Sequence, residues 1–160
     1  MKSGSVEIME ALVAGGANID IKNPGGNTPL MIAAWGGEDL SPKEQLESLK
    51  ILINAKADLN KSNPKGSTAL ALAAVKARPE IIKLLIENGA QVDAQLLDGR
   101  TPLMIAARNG GLKAVEMLLA RGADPAIRDQ EGLTALDQAS LSDGPEAEKI
   151  KALLIKIQNQ

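Results

Sequence analysis

The sequence has no cysteine, no histidine, no phenylalanine and no tyrosine. Without cysteine there are no disulfides and no thiolate chemistry. Without histidine the commonest acid–base residue and metal ligand is gone. Trp35 is the only aromatic ring in 160 residues, although rings normally supply much of a buried core. Alanine, leucine, isoleucine, valine and methionine must fill this one, which suits thin layers of short, closely packed helices. Neither charge is in clear excess. Eighteen Lys and Arg against twenty Asp and Glu leave a net charge of -2, which argues against nucleic acid as a main partner because no basic surplus exists to neutralise phosphates. No run of 18 apolar residues is present, so no spanning helix and no membrane insertion are expected. Residues 1–20 have no continuous apolar stretch of the signal-peptide kind. A soluble chain is expected, with the cytoplasm favoured and the compartment unfixed.

What is present is repetition. Gly26-Asn27-Thr28-Pro29-Leu30-Met31-Ile32-Ala33-Ala34 is echoed by Gly99-Arg100-Thr101-Pro102-Leu103-Met104-Ile105-Ala106-Ala107. Weaker copies start at Gly66 and Gly132, so threonines fall at 28, 68, 101 and 134. A second block follows, Leu84-Leu85-Ile86-Glu87-Asn88-Gly89-Ala90 and then Met117-Leu118-Leu119-Ala120-Arg121-Gly122-Ala123. Self-similarity at a fixed period marks a solenoid.

The pattern Gly-x-Thr-Pro-Leu-x-x-Ala-Ala, two apolar pairs, then Gly-Ala-Asp/Asn resembles the ankyrin repeat over nearly the whole chain. The resemblance implies an all-α solenoid of stacked helix–turn–helix repeats joined by short β-hairpin-like turns. The expected units are 1–23, a partial repeat with only its second helix; 24–63, a repeat with a seven-residue insertion; 64–96; 97–129; and 130–160, a C-terminal capping repeat. The family commonly has His after Thr-Pro-Leu; Met31, Ala71, Met104 and Asp137 stand there instead, so apolar packing must replace a polar tie in the middle repeats.

Each motif also has a local reading. The threonines are helix N-caps, accepting a bond from an orphan backbone N–H. Pro29 and Pro102 take the first helical position, where a missing N–H is harmless. Gly16, Gly89 and Gly122 fit left-handed caps after second helices, and Lys56 replaces that glycine in the insertion-bearing repeat, which predicts strain or a different turn. The inserted Glu38–Glu44 contains the capping box Ser41-Pro42-Lys43-Glu44, so a helix should start near Pro42. Seven residues are close to two helical turns, and the insertion reads as a tolerated loop or as a protrusion that meets a partner. Gly4–Leu12 aligns with Gly110–Leu118, so the chain begins near the end of a first helix; the exposed face would be covered by further repeats or by weak self-association of an otherwise monomeric chain. At the other end, Asp137, Gln138 and Ser140 replace apolar residues, and Glu146–Gln160 forms a final amphipathic helix.

Chemistry is harder to place. Nucleophilic catalysis needs an activated nucleophile beside a base, and a carboxylate pair is the remaining option. Asp20, Asp58, Asp93 and Asp124 are read as recurring at one repeat position, where turn-fixing through side-chain to backbone bonds outweighs catalysis. Asn23, Asn63 and Asp129 open the hairpin tips in the same way. No phosphate-binding loop follows Gly25-Gly26 or Gly36-Gly37, and no calcium loop is present. No enzyme activity, cofactor or metal is expected.

In proteins this chain resembles, partners meet the hairpin tips and the exposed face of the first helices. By position the tips supply Asn27, Lys65, Arg100 and Leu133, and the helix ends supply Trp35, Val75, Lys76, Arg108 and Asn109. Trp35 is either a binding hot spot or a packed residue leaning on the insertion. With Val75 beside it and Lys76 and Arg108 as a rim, the expected partner is another protein with an apolar anchor and acidic groups. The alternative is a scaffolding segment of a longer array with no dedicated ligand.

Overall fold

The computed structural model describes residues 4–36 and 40–159. They form helices α1 (Gly4–Ala14), α2 (Pro29–Trp35), α3 (Pro42–Asn54), α4 (Ala69–Val75), α5 (Pro79–Glu87), α6 (Pro102–Arg108), α7 (Leu112–Ala120), α8 (Ala135–Ser140) and α9 (Pro145–Gln158). No strand occurs among the described residues. The short first helices α2, α4, α6 and α8 pack side by side in one layer, and α1, α3, α5, α7 and α9 form a second layer against it.

Threonine fixes the start of every first helix. Thr28, Thr68, Thr101 and Thr134 accept N–H bonds from Met31, Ala71, Met104 and Asp137 at 3.3–3.4 Å. Asp137, at the place usually held by His, closes a capping box by accepting from the Thr134 N–H at 2.8 Å. Leu30, Leu70 and Leu103 then point into the core, and the fully buried Ala34, Ala74 and Ala107 let adjacent helices approach closely. Close packing without rings is therefore achieved with aliphatic side chains, as interior density requires.

The insertion behaves in two parts. α3 starts at Pro42 with the full Ser41–Glu44 capping box, as the sequence predicts. It gains only Pro42–Gln45 over α5 and α7, which begin at the counterparts of Leu46. That is about one turn rather than two, and the rest of the insertion lies in the connection; Glu38 and Asp39 fall outside the described residues. Gln45 is buried, and its Oε1 accepts a bond from Arg78 Nη1 at 2.9 Å, tying the added turn to the following repeat. Lys56 has the left-handed φ of +68° expected in place of the capping glycine, and Ala77 has φ +48° where the next repeat has Gly110.

The turn acids occupy two positions, not one. Asn18, Asp58 and Asp124 each accept the N–H two residues ahead, at 2.8–3.0 Å. Asp20, Asn60 and Asp93 sit two residues later and reach the next repeat, accepting from the N–H of Asp58, Gln91 and Asp124. The first set shapes a turn and the second latches turn to turn. The four acids therefore alternate between the two positions along the edge, with Asp93 and Asp124 close enough for their charges to interact. Burial raises the Asp93 pKa above its ordinary value, opposed by the Asp124 N–H bond and reinforced by the Asp124 charge.

Neighbouring tips are tied as well. Leu97 N–H donates to the Lys65 carbonyl at 3.1 Å, and Gln130 N–H to the Asp98 carbonyl at 3.0 Å. These approaches require glycine at 66 and 99, where an added Cβ would lie 2.7 and 2.9 Å from the Leu97 and Gln130 nitrogens. In the last repeat, α9 buries Ile150 and Leu154. Gln138, which stands where the earlier repeats have Ile32, Leu72 and Ile105, is only 3% exposed.

Candidate functional site

The first helices present two rows of side chains toward the hairpin tips, and along each row the chemistry changes. The inner row is Ile32, Leu72, Ile105 and Gln138. Ile32 is 50% exposed, Leu72 half-buried, and Ile105 only 3% exposed. The outer row is Trp35, Val75, Arg108 and Leu141, all exposed, with Trp35 at 41%.

Where residues 24–63 meet 64–96 these positions form an apolar groove of about 480 Å³. Met31, Ile32, Trp35 and Leu72 supply its helix wall; Asn27, Asn63, Pro64, Lys65 and Ser67 supply the tip wall. The tip wall is rigid for a local reason. Asn63 Oδ1 accepts from the N–H of both Lys65 and Ser67 at 3.0 Å, and Asn63 Nδ2 donates to Asn27 Oδ1 at 2.9 Å. Lys76 Nζ stands 4.2 Å from the Trp35 ring centroid, a cation held over the negative face of the indole.

Around the last two repeats the same face is a polar pocket of about 350 Å³. Several of its polar groups satisfy one another. Asp129 Oδ2 accepts from Gln138 Nε2 at 2.7 Å, and Gln138 Oε1 accepts from Arg108 Nη1 at 3.0 Å. Asp129 Oδ1 accepts the N–H of Glu131 and of Leu133. Arg100 Nη2 lies 2.7 Å from Asp98 Oδ2, and this guanidinium holds the Asp98 carboxyl below its ordinary value.

The sequence-predicted residues therefore separate into two groups. Asn27, Trp35 and Lys65 line the groove, and Lys76 covers the Trp35 ring. Val75 is exposed nearby but does not line it; Asn109 Nδ2 donates to the Val75 carbonyl at 3.5 Å. Arg100 and Arg108 belong to the polar pocket, and Leu133 is half-buried at its edge. Ile32 and Leu72, one turn before the outer row, are the groove residues that reading from the helix ends missed. Gln138 and Asp129 are the corresponding omissions in the polar pocket. Helical periodicity from Trp35 points to Ile32; nothing local distinguishes it from a core position.

Among the described residues no group of three or more acidic side chains is placed to hold a metal ion, and no helix is long and apolar enough to cross a membrane. A family model described as "Ankyrin repeats (3 copies)" matches residues 40–129 and 93–160. No curated protein shows significant similarity to the chain.

Proposed function

The chain belongs to the ankyrin-repeat family, and from that premise we propose that it binds a partner protein on the face formed by its first helices and hairpin tips, anchored in the groove beside Trp35. Ankyrin repeats are in general protein–protein interaction modules, and ankyrin-repeat proteins are typically not enzymes. The observation that carries the reading is the exposure of Ile32 and Trp35 together in one concave groove whose walls are held by hydrogen bonds. Apolar area left open beside a rigid polar rim is what partner surfaces use, and Trp is enriched among their hot spots.

The test uses the ring itself. Trp35 is the sole Trp and there is no Tyr, so intrinsic fluorescence reports this site. A partner captured from the native extract should shift the Trp35 emission, and Trp35→Ala should weaken it by about 2 kcal/mol. Unchanged affinity would remove Trp35 from the binding surface.

A second reading rests on a different face. Ile8 and Leu12 of α1 are well exposed, which favours a scaffolding segment within a longer array or weak self-association through α1. Light scattering across a concentration series separates these; a mass fixed at 16.7 kDa counts against self-association.

A further inference from the structure

We infer that the groove's occupant is a protein segment with one apolar side chain flanked by carboxylates, the apolar group seated at Ile32, Leu72 and Trp35 and the acids facing Lys65 and Lys76. The inference rests on the binding role proposed above and names the chemistry of the partner.

Three observations lead to it. The groove lining contains no acidic side chain, and its charged residue is Lys65 at the tip, while Lys76 reaches in from the other end over Trp35. Cations therefore stand at both ends of an apolar floor. Several basic groups elsewhere on the surface have acids: Lys61 pairs with Asp20, Arg100 with Asp98, Arg121 with Glu87, and Lys151 with Glu148. Among the described residues no carboxylate pairs with Lys65 or Lys76. Their charges are open to a partner, and opposite potentials across an interface guide both specificity and association.

The third observation concerns the backbone. The Lys65 and Ser67 N–H groups already donate to Asn63, and the Lys65 carbonyl accepts from Leu97 N–H. The tip has spent these main-chain groups internally, so a partner cannot add itself to it as a strand through them. Recognition must come from side chains, and those present are aliphatic, aromatic and cationic. A neutral apolar segment would leave two ammonium groups beside its backbone without counter-charge, and a basic one would meet like charge. An acidic segment satisfies both ends, and its carboxylate can draw Lys76 off the ring while its apolar group covers the exposed indole.

Panning a random peptide library displayed on phage against the whole chain tests this, with Ile32→Arg as the counter-target. Ile32 is half-exposed, so Ile32→Arg should keep the fold, checked by circular dichroism. The expected peptides bind the native chain, weaken roughly tenfold on Ile32→Arg, carry Asp or Glu beside an apolar residue, and lose affinity as salt rises. Repeating the selection on Lys65→Glu, at an exposed tip, should move the flanking preference toward Lys and Arg. Ile32-dependent peptides without an acidic excess, or with unchanged flanks on Lys65→Glu, overturn the acidic occupant while leaving the groove as a binding site. Peptides indifferent to Ile32, or no enrichment over a blank target, overturn the groove reading itself.

Discussion

Residues 29–34 and 102–107 are the same hexapeptide, Pro-Leu-Met-Ile-Ala-Ala, and both follow a capping Thr. Yet Ile32 in α2 is 50% exposed and Ile105 in α6 only 3%. The difference comes from what lies beside each helix. α6 packs between α4 and α8, whereas among the described residues α2 has a first-layer neighbour only in α4. The next residue then sets the chemistry: Trp35 leaves a part-exposed ring beneath Lys76, while Arg108 is bound to Gln138 and through it to Asp129. One half of the face ties most of its polar groups to one another; the other exposes apolar area whose ring is covered only by Lys76. Binding capacity in such a stack depends less on repeat sequence than on which groups remain without internal partners.

The comparison can be broken most forcefully at Gln138. Gln138→Leu strips one carboxylate oxygen of buried Asp129 and the Arg108 guanidinium of their partner. A denaturation midpoint should report a loss of about 2 to 3 kcal/mol, with partner affinity at Trp35 unchanged. Trp35→Ala should show the reverse, losing about 2 kcal/mol of affinity while its stability, measured in the same denaturant, moves much less. If both substitutions changed stability alike, the division into a self-satisfied half and an open half would fail.

Smaller effects sharpen the contrast. The N-terminal half carries two non-glycine residues in left-handed backbone, Lys56 and Ala77, where later repeats use Gly89 and Gly122 or Gly110. Lys56→Gly and Ala77→Gly should each stabilise the chain by about 0.5 to 1 kcal/mol, because the steric cost exceeds the added unfolded-state freedom; calorimetry should show a higher Tm. Ser48 Oγ is buried without a hydrogen-bond partner where the following repeats place Ile81 and Ala114. Ser48→Ala should therefore raise stability by about 1 kcal/mol, read from chemical denaturation.

Acid acts in the other direction. Arg100 lowers the Asp98 pKa, and the Thr134 N–H and hydroxyl lower that of Asp137. A depressed folded-state value means that the stabilisation is fully present above the ordinary 3.8 and is lost as pH falls through the lowered value. Asp93, with a raised value, works oppositely: the folded state takes up its proton first as pH falls toward the ordinary value. Amide exchange followed down in pH should show α8 and the tip at Asp98 loosening, with Asp93 partly offsetting the change. Equal loosening of the groove would contradict this.

Most of the fold was legible because its signals are local. A Thr caps an N–H three residues away, Pro42 opens α3 within its own capping box, and Lys56 betrays its backbone by standing in a glycine's place. The face was legible only in part. Asn27, Trp35 and Lys65 were found by repeat position, but identical hexapeptides cannot reveal that one isoleucine is open and the other closed. The two turn-acid positions were merged because their separation of two residues shows only when all the copies are set in register. In the sequence Gln138 is only a polar residue at an apolar position; in the fold its amide joins a buried carboxylate to a guanidinium.

The latches from Asp20 to Asp58, Asn60 to Gln91 and Asp93 to Asp124 run along one edge of the stack. Mechanically, the array is a strip of blocks in which these stitches add to the tip bonds and helix packing at each junction. A load pulling its ends apart passes through every junction in series, so the weakest junction yields first and the others keep their shape. Tension transmitted by a bound partner would thus be absorbed at one seam, leaving the remaining repeats as intact blocks.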